Sequence, residues 1–83
     1  MVALNNLGVA QKRQHLETIK GATEELIITA ALHAGVDPNA INLATHPTPD
    51  SFDPDAEDYD ELDVNLAKRV LAYNNLVAKL DSL

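Results

Sequence analysis

Eighty-three residues with no cysteine, three aromatic side chains and a net charge of −7 set narrow bounds. A chain this short forms one domain with a modest core, and the lack of thiols excludes disulfide stapling and thiolate metal sites. The charge is −1 over residues 1–49 and −6 over residues 50–83, which opposes direct binding to nucleic acid or to an anionic membrane surface.

The start, Met1 to Ala10, has no basic region and carries Asn5, Asn6 and Gly8 where a signal sequence needs an apolar run. The longest apolar run, Leu26 to Leu32, is far too short to cross a membrane. The chain is therefore expected to be soluble, in the cytoplasm or in a particle assembled inside the cell, and neither secreted nor membrane-spanning.

From about residue 10 to 20 the side chains favour helix, with Leu16 and Ile19 as a short apolar face. Gly21 interrupts the pattern and predicts a break. Thr23, Glu24 and Glu25 then read as a restart, an N-cap hydroxyl followed by acids in a first turn. The resulting helix, about 23–34, places Leu26, Ile27, Ala30, Ala31 and Ala34 on one broad side. Gly35 stands where a left-handed C-cap is wanted, Val36 follows as its hydrophobic closure, and Pro38 ends the helix.

Asp37-Pro38 resembles a cap followed by proline at a first helical position, which predicts a short helix or turn burying Ile41 and Leu43. The stretch about 37–53 reads as a connector, extended near His46 and Thr48 because each precedes a proline. Asp53-Pro54 repeats the cap signature, so the last helix is expected over about 55–82, with Asp60 as a later alternative start.

Between Asp50 and Asp63 the chain carries eight carboxylates and no cation. Asp53, Asp55, Glu57, Asp58, Asp60 and Glu61 are the candidate acidic patch. It reads first as a solvated helix start, and second as a docking surface for a basic partner. A calcium loop beginning at Asp53 fails where it matters, with Asp58 at the position of the sharp-turn glycine and Val64 at that of the bidentate glutamate. Mimicry of nucleic-acid phosphates in a partner's basic groove is a further reading.

The last helix carries a seven-residue repeat. Tyr59, Leu66, Tyr73 and Leu80 form one column, Leu62, Leu76 and Leu83 a second that Arg69 breaks, and Val70 and Val77 a third with Asp63 at its head. The candidate interface is Tyr59, Leu62, Leu66, Val70, Tyr73, Val77 and Leu80. Such a face needs cover, either from the helix at 23–34, from a second copy or from another protein. His15, His33 and His46 are scattered, and the three glycines form no phosphate loop, so neither a catalytic site nor a metal or cofactor site is expected.

The sequence thus predicts an all-α fold, a small bundle or helical hairpin with a long amphipathic, coiled-coil-like C-terminal helix and a proline-containing acidic connector. The function expected is non-enzymatic: a structural, assembly or protein–protein interaction module, oligomeric or docked on a larger complex such as a virus particle. The alternative is an acidic inhibitor or regulator that occupies a basic, nucleic-acid-binding site on a partner protein.

Overall fold

A computed structural model describes residues 8–83. Residues 1–7, most of the segment read above for a targeting signal, lie outside the described residues. Two long helices dominate the rest, α1 (Val9–His33) and α2 (Glu61–Asp81), and no strand occurs among the described residues. The fold is an all-α helical hairpin, as the sequence predicts.

The expected break at Gly21 does not occur: residues 10–20 and 23–34 belong to one continuous helix, α1. A lone glycine inside a helix costs only about 1 kcal/mol relative to alanine. That penalty is smaller than what packing of the next three turns returns, because Thr23, Ile27, Ala30 and Ala31 are all buried. Thr23 leaves no unpaired hydroxyl inside, since its Oγ1 donates to the Ile19 carbonyl at 2.9 Å. At the other end of the helix the punctuation holds. Gly35 adopts φ +74°, the Val36 amide donates to the Ala31 carbonyl (2.9 Å) and the Gly35 amide to that of Leu32 (3.2 Å). This is the Schellman arrangement, with Val36 packed against the core.

Two glycines therefore predict opposite effects of the same substitution. Neither site has a neighbour within 4 Å of an added Cβ, so only backbone preference matters. Gly21→Ala should raise stability by about 1 kcal/mol. Gly35→Ala, forced into the left-handed region, should lower it by about 1–2 kcal/mol. Urea denaturation of both variants checks the signs, and a stabilising Gly35→Ala would contradict the cap.

α2 starts at Glu61 and not near residue 55, the later of the two starts the sequence offers. Asp60 is its cap, accepting from the Leu62 amide at 2.9 Å. Asp53-Pro54 does begin a turn, with the Asp55 amide donating to Asp53 Oδ1 (2.9 Å) and the Ala56 amide to the Asp53 carbonyl (3.0 Å), but it stops after one turn. A helix continued through this region would stack like charges at helical spacing, such as Asp53 with Glu57 and Glu57 with Glu61, which is unfavourable. Asp37-Pro38-Asn39-Ala40 makes the same capped turn, with the same two hydrogen bonds, as the 3₁₀ turn Pro38–Ala40.

The helices run antiparallel. Ile27, Ala30 and Ala31 late in α1 share a buried cluster with Leu66 and Val70 early in α2, while Lys20 of α1 places its Nζ 5.8 Å from the Tyr73 ring centre, later in α2. Residues 34–60 connect them, longer than the 37–53 expected, and act as a thin third layer. Ile41 and Leu43 rest on the core, as predicted. The connector then reaches far down α2, where Asn74 Nδ2 donates to the Leu43 carbonyl at 2.9 Å. It returns through the 3₁₀ turn Pro49–Ser51, which contacts α2.

That single hydrogen bond joins residues 31 apart. Removing it by Asn74→Ala should cost about 1 kcal/mol and leave the part-buried Leu43 carbonyl without this donor. Faster amide exchange over residues 36–43, with α1 unchanged, is the expected signature.

The hairpin is elongated, 51 × 24 × 23 Å with a radius of gyration of 15.4 Å. A compact domain of this length has a radius of about 12 Å. Its core is correspondingly slight: of six buried apolar residues, Ala30, Ala31 and Ala67 are alanines, leaving Ile27, Leu66 and Val70 as the only large ones among the described residues.

Candidate functional site

The core reverses one ranking drawn from the sequence. In α1 the small residues turn inward and several large ones turn out: Ala31 is fully buried, whereas Leu26 is 46% and Leu32 64% exposed. Leu26 therefore does not share the inward side with Ile27, Ala30 and Ala31. The reason is geometric. Alanines at the crossing let α2 approach closely, and the resulting close-packed contact is worth more than covering a leucine at a wider spacing.

The candidate interface stripe of α2 divides into three parts. Leu66 and Val70 are both only 2% exposed, covered by α1 of the same chain, and offer no surface to another molecule. Tyr73, Val77 and Leu80 are half-buried, with Tyr73 on the edge of the core beneath Lys20. Leu62 remains 44% exposed. Tyr59 precedes α2 and half-buries itself against the connector, so the seven-residue column it seemed to head begins on the helix at Leu66.

The hairpin has two sides. On one, Pro38, Ile41 and Leu43 of the connector lie against Glu24, Ile27 and Ile28 of α1, around a hollow of about 240 Å³, and Leu43 is tied to Asn74 of α2. These contacts fix the connector's side of both helices. The opposite groove has no cover among the described residues. By helical position it is lined by Ile19 and Leu26 from α1 and by Leu62, Tyr73, Leu76 and Leu80 from α2, with the exposed Arg69 between Leu62 and Leu76. Of these, Ile19 (38%), Leu26 and Leu62 are exposed. Reading the sequence found the α2 half of this groove but missed Ile19 and Leu26 as outward residues, because α1 is apolar nearly all round from Leu26 to Leu32 and that stretch cannot be oriented without α2.

All six residues of the acidic patch, Asp53, Asp55, Glu57, Asp58, Asp60 and Glu61, are exposed. Asp53 and Asp60 are already engaged by backbone amides. Around them lie two further hollows, one of about 230 Å³ that includes Asp53, Asp58, Tyr59 and Asp63, and one of about 280 Å³ that includes Tyr59, Glu61 and Lys68. All three hollows fall below the roughly 300–1,000 Å³ of a small-molecule site. Among the described residues no group of three or more His, Asp or Glu side chains is arranged to hold a metal ion, and no described helix is long and apolar enough to cross a membrane.

No protein-family model, curated protein or solved structure matches this chain. What it can do has to be argued from the uncovered groove and the placement of its charge.

Proposed function

We propose that this chain is a non-enzymatic assembly or protein–protein interaction module whose working surface is the apolar groove opposite the connector. The observation that carries the reading is the mismatch between core and surface. Eight large apolar side chains are exposed, among them Ile19, Leu26 and Leu62, against three large ones buried. Single exposed leucines are ordinary in any protein, but a groove lined by several on adjacent helices is the pattern of a surface that is covered in use. A coiled-coil-like or bundle partner suits it, because the groove is built from two helices at heptad spacing.

The decisive variant cannot be made at Leu66, which belongs to the fold. The double substitution Leu26→Glu with Leu62→Glu is suited to the test, since both side chains project outward. If the groove is an interaction surface, this variant keeps its helical signal and melting temperature within a few degrees while losing association and hydrophobic-dye binding. Collapse of the helical signal would mean that both leucines serve the fold, and the reading would fail. Association that survives the double substitution but disappears in half-molar salt or on neutralising Asp55, Asp58 and Asp60 would favour the acidic inhibitor instead.

A further inference from the structure

We infer that the hollow beneath the connector is an anchor pocket for one large aliphatic side chain of a partner protein, a side chain flanked by lysine or arginine. It lies on the connector's side of the hairpin, separate from the open groove. Its walls are Ile27 and Ile28 of α1 and Pro38, Ile41 and Leu43 of the connector, with Glu24 the single ionisable residue among the six.

Size decides the kind of occupant. A cavity of about 150 Å³ admits benzene, and small-molecule sites begin near about 300 Å³. The hollow, at about 240 Å³, falls between the two and suits one leucine-sized side chain. Its walls leave apolar surface unmet: Ile28 is 47% exposed, and Ile41 and Leu43 are only half-buried although both pack on the core. Two local ties keep the connector from closing over it. Asp37 caps the Pro38 turn, and the Leu43 carbonyl is held by Asn74. A side chain seated there covers the rim isoleucine and the connector wall together, without displacing either helix.

Charge decides what surrounds that side chain. Glu24 is exposed at the rim. Its helical neighbours three and four residues away are Lys20, Gly21, Ile27 and Ile28. Of these only Lys20 could neutralise it, and its Nζ sits instead over the Tyr73 ring, 5.8 Å from the centre. All six lining residues belong to the stretch 21–67, which carries eleven carboxylates and no lysine or arginine. The partner therefore has to bring the cation. The buried anchor supplies the affinity, and the flanking cations set approach and selectivity.

The isoleucines make both sides of the hairpin directly readable. The chain has four, Ile19, Ile27, Ile28 and Ile41. Three line the hollow, while Ile19 borders the opposite groove. Isotope-labelled isoleucine methyl groups are followed by nuclear magnetic resonance while the blocked peptide Lys-Leu-Lys is titrated, with Lys-Ala-Lys and Glu-Leu-Glu for comparison. The expected result is saturable movement of the Ile27, Ile28 and Ile41 signals with Ile19 still. Exchanging the peptide leucine for alanine should weaken binding about tenfold or more. Glu-Leu-Glu should bind less tightly than Lys-Leu-Lys, Glu24→Gln should narrow that difference, and Glu24→Lys should reverse it. Glu24 is exposed, so both variants should keep the helical signal of the parent chain.

Equal binding of Lys-Ala-Lys would overturn the anchor. A charge preference indifferent to Glu24→Lys would overturn the choice of a basic partner. Movement of Ile19 alone would place the peptide in the opposite groove, overturning this pocket while leaving the open groove as an interaction surface. No movement of any isoleucine at millimolar peptide would overturn the pocket outright.

Discussion

Leu66→Ala should leave the chain largely unfolded at room temperature. Leu66 is 2% exposed and one of two largest fully buried side chains, in a cluster with Ile27, Ala30, Ala31 and Val70. Leucine-to-alanine changes at such sites cost about 2–5 kcal/mol through lost transfer energy and the cavity left behind. A core of this size supplies only about 3–5 kcal/mol in total, so one truncation removes most of it. Three of the six buried residues are alanines, which have no length with which to fill the gap. Leu26→Ala removes the same atoms from a site 46% exposed and should alter the monomer's stability by no more than about 1 kcal/mol. Far-ultraviolet circular dichroism during urea titration compares the two directly. Equal losses from both would contradict the assignment of inward and outward faces in α1.

Ala31→Leu should destabilise by about 1–3 kcal/mol or more, although it exchanges the best helix former for another good one. Ala31 is 0% exposed and Ala67 1%, so an isobutyl group at residue 31 meets a closed crossing. The helices must separate or the side chain must leave its preferred rotamer, and in either case Leu66 and Val70 lose contacts. Ala22→Leu, on the exposed side of the same helix, is the matched control and should change the stability of the monomer little. A lower urea midpoint for Ala31→Leu alone would show that helix separation is set by small residues. A stabilised Ala31→Leu would show instead that the crossing has room to spare.

Both variants bear on function through the same geometry. The close crossing at the alanines leaves Leu26, Ile19 and Leu62 on the outside, and that outward set is what makes the uncovered groove. A wider hairpin with leucines at the crossing would have a larger core and less surface to offer a partner. Stability and association are therefore linked: a chain with so small a core gains from any partner that covers the groove, in proportion to the logarithm of partner concentration over its dissociation constant.

The structure also redistributes importance between the two features prominent in the sequence. The seven-residue repeat of α2 is used at its centre, Leu66 and Val70, to fold this chain, and only its flanks at Leu62, Leu76 and Leu80 border the open groove. The acids of the connector cap a turn and a helix through Asp53 and Asp60, and the remainder form the negative pole of the rod.

By itself the sequence determined the punctuation of the fold. Gly35 and Val36 closing α1, Asp37 capping a single turn and the absence of strand patterning all depend on neighbours a few residues away, whereas of the two starts offered for the last helix, Asp53 and Asp60, the folded chain uses the later. Backbone preferences and side-chain caps act over that same range. The sequence also determined the negative pole, since its carboxylates are contiguous. Only the tertiary structure decided that α1 runs unbroken through Gly21, that Ala30 and Ala31 face inward while Leu26 faces out, and that the connector folds back to Asn74. It alone decided, too, that Lys79 joins Lys12, Arg13 and Lys20 at one end. The physical reason is common to these outcomes: each depends on packing between segments distant in sequence. Hydrophobicity ranks leucine above alanine at any one position, but shape complementarity is a property of the pair.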